Sequence, residues 1–197
     1  MNEKQALSEL TFTVSGRVSR PCRDVYEAIA EPAQLSQYFT TGGARGRLEP
    51  GADVSWDFAD FPGRFPVTVV EAAPPRRIVI RWEGKDTADG SGSTTTTFEL
   101  EPLDDDTRTL VTITESSWAL TAGGATSAFG NCEGWTGMLA ALKAWVEHGI
   151  NLREGFYRAD AMEKYIDTQW ERPGSKKQGG DAFNLVDALR DLRQDAH

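Results

Sequence analysis

From Leu10 to Ser19 apolar and polar residues alternate, with Leu10, Phe12 and Val14 on one side and Thr11, Thr13 and Ser15 on the other. That period of two predicts a strand with one buried face. Pro21 suits the first turn of a helix, where its missing N–H is not needed. Val25, Tyr26 and Ile29 give that short helix an apolar side. Glu31-Pro32 breaks it, and a second short helix follows, anchored by Leu35, Tyr38 and Phe39. Thr41-Gly42-Gly43-Ala44 reads as a loop. Alternation then resumes in meander style. Ala52 to Phe58 places Val54, Trp56 and Phe58 on one face, and Pro62-Gly63 signals a turn. Phe65 to Glu71 and Arg77 to Glu83 are strands on either side of Pro74-Pro75, the second with Ile78, Ile80 and Trp82 on one face. Lys85 to Gly92 is polar and reads as a mobile hairpin loop. Thr94 to Glu101 is β-branched, Asp104-Asp105-Asp106 turns the chain, and Arg108 to Ser116 returns. Gaps this short predict antiparallel neighbours.

The last strong pattern is helical. Trp135, Met138, Leu139, Leu142, Trp145, Val146 and Ile150 recur at three- and four-residue steps, so they share one side of a 3.6-residue helix. Gly123-Gly124 opens a loop before it, and the helix is expected from about Thr126 to Tyr157. A Trp-rich helical face needs a sheet to cover it, which implies a layered α+β domain. In one such architecture the helix and a curved sheet enclose a cavity. Beyond Tyr157 the pattern weakens. Pro173 to Gly180 has the composition of a linker, and Asp181 can cap a short helix with Phe183, Val186 and Leu189 as its stripe. So short a helix is marginal alone in water. The stripe therefore calls for cover from its own domain or from a second subunit, and a homodimer through this extension is one expectation. Residues 1–158 are read as the domain and 159–197 as the extension.

Charge narrows the partners. The 197 residues carry a formal net charge of -9, which argues against nucleic acid, whose binding needs a basic surface. It equally disfavours an anionic membrane surface. The first residues lack the apolar core of a signal peptide, and no stretch approaches the roughly 18 apolar residues that span a bilayer. Cys22 and Cys132 form no disulfide framework and no metal-ligand spacing, so a reduced, cytoplasmic protein is expected.

Strand, two short helices, meander and long C-terminal helix together resemble the helix-grip fold of the START/Bet v 1-like superfamily. Within it the chain resembles the branch related to the C-terminal domain of the activator of the heat-shock-protein-90 ATPase. Pro21 with Val25-Tyr26-Glu27-Ala28, Pro32-Ala33-Gln34-Leu35 leading to Tyr38-Phe39, and Pro74-Pro75-Arg76-Arg77 leading to Trp82-Glu83 carry the resemblance. Its strongest piece is Gly134-Trp135-Thr136 with Leu139, Leu142-Lys143-Ala144 and His148 to Arg153. The match runs from about Leu10 to Tyr157. It implies a curved antiparallel sheet wrapped around the long helix. Branch members often carry a His shortly before the Gly-Trp pair, where this chain has Asn131-Cys132-Glu133. The activator's separate N-terminal domain has no counterpart in the few residues before the first strand.

Six tryptophans are many for this length. Aromatic rings either anchor a sheet–helix interface or line a pocket, and sequence alone leaves both open. The candidate ligand-binding residues are Phe39, Trp56, Phe58, Trp82, Glu115, Trp135 and Leu139. Glu115 is included because it shares strand parity with Val111 and Ile113, and a carboxylate on an apolar face is costly unless paired or solvated. Cys132 lies near the expected helix start, where a thiol pKa falls, but its nearest histidine, His148, is about four turns away. His148 itself suits the last turn of a helix. No catalytic residue, metal site or cofactor is assigned. The leading function is non-covalent binding of a small hydrophobic or aromatic molecule between sheet and helix. The alternatives are a chaperone-associated interaction module and a cyclase- or hydrolase-type enzyme.

Overall fold

The computed structural model describes residues 7–156. Strand β1 (Leu10–Val18) leads into helices α1 (Cys22–Ala30) and α2 (Pro32–Tyr38). Strands β2 (Gly43–Arg45), β3 (Val54–Phe58), β4 (Phe61–Ala73), β5 (Arg77–Glu83), β6 (Ser93–Leu103) and β7 (Arg108–Trp118) follow, and α3 (Ala122–His148) ends the series. The strands form one seven-stranded sheet in the order β1-β7-β6-β5-β4-β3-β2, and every neighbouring pair is antiparallel. The meander accounts for β2 to β7, and β1 closes on β7 from the other end of the sequence. The curved sheet wraps α3, and α1 and α2 cover one end, giving the α+β helix-grip arrangement.

Alternation explains which face is inside. In β3, Val54, Trp56 and Phe58 are buried and the residues between them half-exposed. In β7, Thr109, Val111, Ile113 and Glu115 are buried in the same rhythm. On α3, Trp135, Met138, Leu139 and Leu142 are buried, as their helical spacing requires, while Trp145 and Val146 pack half-buried at the core's edge.

Four boundaries differ from expectation. Gly43–Arg45 is a short edge strand against β3 rather than loop. The β3–β4 reversal falls at Ala59-Asp60, because Phe58 pairs with Phe61, and Pro62-Gly63 lies inside β4. Residues 85–92 are pinned at several points: Ala88 N–H donates to the Ser117 carbonyl at 2.8 Å and Ala119 N–H to the Asp86 carbonyl at 2.8 Å.

The fourth concerns α3. It begins at Ala122, and Gly123 and Gly124 are in its first turn. The Thr121 hydroxyl caps this end by accepting from Gly124 N–H at 3.0 Å. A Cβ at position 124 would lie 2.1 Å from the Ala119 carbonyl oxygen, so only glycine fits the entry turn. The helix stops at His148 because Gly149 takes a left-handed conformation, φ 67°. Ile150 therefore lies outside the helix and is exposed. The expected extension at 159–197, with its Phe183–Leu189 stripe and its dimer role, lies outside the described residues.

Candidate functional site

The curved sheet and the middle of α3 bring six of the seven candidate residues together. Phe39 closes α2 and lies 5.4 Å from Trp135, ring centre to ring centre, in a stacked arrangement. Trp56 meets Phe39 at 5.6 Å, Trp82 at 5.9 Å and Trp135 at 6.5 Å, all edge to face. Phe58 joins through Phe39 at 5.0 Å, and Trp82 reaches Trp135 at 5.4 Å. Such offset and T-shaped pairs add about 0.5–1.5 kcal/mol each beyond area burial. Leu139, one turn beyond Trp135, packs over Gly16 of β1. Trp135 stands about four turns into α3, so it faces the middle of the sheet rather than a helix end.

Glu115 is the polar centre of this cluster and is fully buried. Its Oε1 accepts from Trp82 Nε1 at 2.9 Å and from Thr94 Oγ1 at 2.6 Å. Its Oε2 accepts from Trp135 Nε1 at 2.7 Å, and Asn131 Nδ2 lies 3.2 Å from both oxygens. Indole N–H groups only donate, so this is the geometry of a carboxylate. Burial nevertheless pushes the Glu115 carboxyl above its usual pKa, and the hydrogen bonds from Thr94, Trp135, Trp82 and Asn131 hold that rise back. Asn131 and Trp135 are one helical turn apart and approach the acid from the same side.

The rest of the interior is less complete. Among the described residues, Trp56 Nε1, Thr96 Oγ1, Thr40 Oγ1 and Trp118 Nε1 are buried without a hydrogen-bond partner. Thr96 is in register with both Ile80 and Glu115, and shares the concave face with Thr94 and Phe98. Phe98 lies 5.4 Å from Trp135.

At the rim, Phe65 and Trp82 are half-buried, 5.7 Å apart. Beside Phe58, Arg153 donates from Nη2 to both Asp60 oxygens at 2.7 Å. Two concavities of about 400 and 380 Å3 lie elsewhere: one between α1, α2 and α3 beside Trp145, one against β5, β6 and β7 beside Arg76.

Sequence reasoning missed Asn131, Thr94, Thr96, Asp60 and Arg153. In the run Thr94-Thr95-Thr96-Thr97 every position is the same residue, so alternation cannot show which two face inward. Asn131 had a signal, because it stands a helical turn before Trp135 on the same side. The Cys132 argument fails on geometry. With α3 starting at Ala122, the thiol is about 15 Å from the helix N-terminus, beyond the reach of its dipole. Glu115 falls inside the cluster that strand parity indicated.

Among the described residues no helix is long and apolar enough to cross a membrane, and no three His, Cys, Asp or Glu side chains are grouped to hold a metal. No curated protein matches the chain. Solved structures do. Protein SSP2350 from Staphylococcus saprophyticus is 22% identical with a TM-score of 0.60, over 73% of this chain and 96% of that one. Protein BH1534 from Bacillus halodurans is 21% identical with a TM-score of 0.57, over 71% and 99%. The Aha1 dimer from Colwellia psychrerythraea, a solution structure, is 20% identical with a TM-score of 0.57, over 71% and 98%. These likenesses concern the fold. The family model for Activator of Hsp90 ATPase homolog 1-like protein matches residues 19–147, most of the chain and nearly all of the elements described above, and the chain belongs to that family.

Proposed function

We propose that this domain binds a small apolar or aromatic molecule non-covalently between the sheet and α3, and that Trp56 and Thr96 supply its polar contacts. The observation that carries the reading is that two buried polar atoms, Trp56 Nε1 and Thr96 Oγ1, have no hydrogen-bond partner among the described residues although they lie on inner strand faces beside the aromatic cluster. Each such group costs about 1–3 kcal/mol when it stays unpaired. A guest with an acceptor atom relieves that cost, and the ring faces supply the apolar contact that small-molecule sites use. Glu115 is a positioning residue here. It fixes the Trp82 and Trp135 rings through their N–H groups.

The test is native mass spectrometry of gently purified protein, followed by tryptophan-fluorescence titration with apolar aromatic compounds. A retained small molecule, or saturable quenching that weakens in Trp56→Phe, supports the reading. A clean mass and no saturable response to any compound would sink it.

A second reading, a protein-interaction module, is favoured by one specific observation. Phe129 on α3 is 74% exposed and Leu120 just before the helix is 48% exposed, while Trp56, Trp118 and Trp135 are buried. Exposed apolar groups of this size are a feature of interaction surfaces. The family's description points to the chaperone heat-shock protein 90 as the partner to try first. Its test is capture of purified chaperone by the wild type and by Phe129→Ser, with loss of capture expected if this surface is used.

A further inference from the structure

We propose that the guest of this domain is an organic cation with a flat apolar body, held at the seam between β5 and α3 with its positive charge beside Trp82 and Glu115. This deepens the guest-site reading above and rests on it. The groups around Glu115 lead to the assignment. Trp82 Nε1, Thr94 Oγ1, Trp135 Nε1 and Asn131 Nδ2 are all uncharged donors. They satisfy the lone pairs of the carboxylate and leave its charge standing. Among the described residues no Lys, Arg or His forms an ion pair with it. The other enclosed acids differ. Asp60 and Glu147, with side chains 15% and 8% exposed, each meet a cation, Arg153 at 2.7 Å and Lys143 at 2.5 Å. A buried charge without a countercharge is costly. Burial accordingly pushes the Glu115 carboxyl above its usual pKa. A cationic guest supplies the countercharge that the chain does not.

The charge lies close to an opening. Trp82 and Asn131 are half-buried, although the acid they serve is wholly inside. They come from different layers, Trp82 from β5 and Asn131 from α3, so Glu115 stands just behind the seam between them. An added Cβ at Gly130 or Gly134, beside Asn131 on the helix, would meet no heavy atom within 4 Å among the described residues. Phe65, half-buried and 5.7 Å from Trp82, gives the seam a second ring. Trp82 is more than a wall. An N–H donated to a carboxylate polarises the indole, and electron-rich rings attract cations within about 6 Å of their centre. The hydrogen bond that orients Trp82 thus also tunes it for a positive guest. The carboxylate need not be touched. Its field reaches the seam through a low-dielectric interior, where a charge acts more strongly than in water.

The test uses the full-length protein and three probes of one shape: 2-naphthylmethylammonium, 2-naphthylmethanol and 2-naphthoate. Isothermal titration calorimetry at neutral pH and physiological salt, which screens the outer surface, gives their dissociation constants. The proteins are wild type and Glu115→Gln, which keeps the size of the side chain and removes its charge; circular dichroism checks the fold. In wild type the cation should bind about tenfold or more tighter than the alcohol, and the carboxylate weakest. In Glu115→Gln that advantage should shrink to within about twofold, with the alcohol changed much less. A merely structural role for Glu115 would shift all three probes together. A cation that binds wild type no tighter than the alcohol overturns the inference, and this comparison needs no variant. An advantage that survives intact in folded Glu115→Gln overturns it too, because the net charge of -9 would then account for it. In both cases alcohol binding leaves the guest-site reading standing. Failure of all three probes to bind would instead overturn that reading, and this inference with it.

Discussion

Trp135 and Trp56 are 6.5 Å apart, both buried, both part of one aromatic cluster, and chemically the same side chain. Their indole nitrogens live in opposite circumstances. Trp135 Nε1 donates at 2.7 Å to a buried carboxylate that three further side chains also serve. Trp56 Nε1 has no partner among the described residues. The same sheet-and-helix packing thus satisfies the donors around Glu115 and leaves Trp56 Nε1 and Thr96 Oγ1 without a partner among the described residues. Ring packing alone would leave both nitrogens to chance. A polar group left unpaired beside one so fully paired marks where the fold depends on itself and where it depends on something else.

The largest expected effect breaks the satisfied set. Glu115→Leu strands the buried Trp135 N–H and Thr94 hydroxyl and takes the acceptor from half-buried Trp82 and Asn131. Each stranded donor costs about 1–3 kcal/mol, so a loss of about 3 kcal/mol or more in urea unfolding is expected. A loss below about 1 kcal/mol would mean that water reaches these groups. The sharper measurement applies one substitution on both sides. Trp135→Phe and Trp56→Phe remove similar volume, so their cavity costs are comparable. Trp135→Phe also removes a hydrogen bond to a charged group, worth about 1.5–3 kcal/mol. Trp56→Phe removes an unpaired donor and gains back its burial cost. Trp135→Phe should therefore be the more destabilising by about 2 kcal/mol in the ligand-free protein. Equal losses would show that the Trp56 nitrogen is paired in solution.

Titration sharpens the same contrast. The folded pKa of Glu115 is raised from a reference of 4.5, first by burial. An acid shifted upward holds its proton more tightly folded than unfolded, so its contribution to stability is complete below pH 4.5 and is lost as pH rises through the folded value. Glu27, beside Arg47, and Glu147, which Lys143 and Ser19 N–H contact, are shifted downward. Their contributions are present above the unfolded pKa and lost as pH falls, the opposite direction. Subtracting the stability of Glu115→Gln from that of the wild type across pH isolates the first term. The difference should fall above pH 4.5 and flatten beyond the folded value. A flat difference throughout would mean that the donors cancel burial completely.

The fold was legible because period-two alternation in Val54-Trp56-Phe58 and Ile78-Ile80-Trp82, and the helical spacing around Trp135, each assign a buried face without ambiguity. Strand parity also found Glu115, since Val111 and Ile113 point the same way. The site beyond it was less legible for definite reasons. Four identical threonines hide their own parity. Gly123-Gly124 carries a breaker's composition, yet Gly124 is required by the close approach of Ala119 at the helix entry. Arg153 meets Asp60 across a separation of 93 residues, and neither stands in a periodic pattern that would point to the other.

The smallest effect concerns the outside of α3. Phe129→Ser changes a ring that is 74% exposed, so it should alter unfolding free energy by no more than about 0.5 kcal/mol. That near-neutrality is what makes the variant useful. Any loss of partner capture in Phe129→Ser then belongs to the surface and not to a weakened fold, and any loss of ligand quenching in it would mean that the guest approaches from the α3 N-terminal side. A stability loss above about 1 kcal/mol would place Phe129 against other parts of the chain in solution and remove it from both readings.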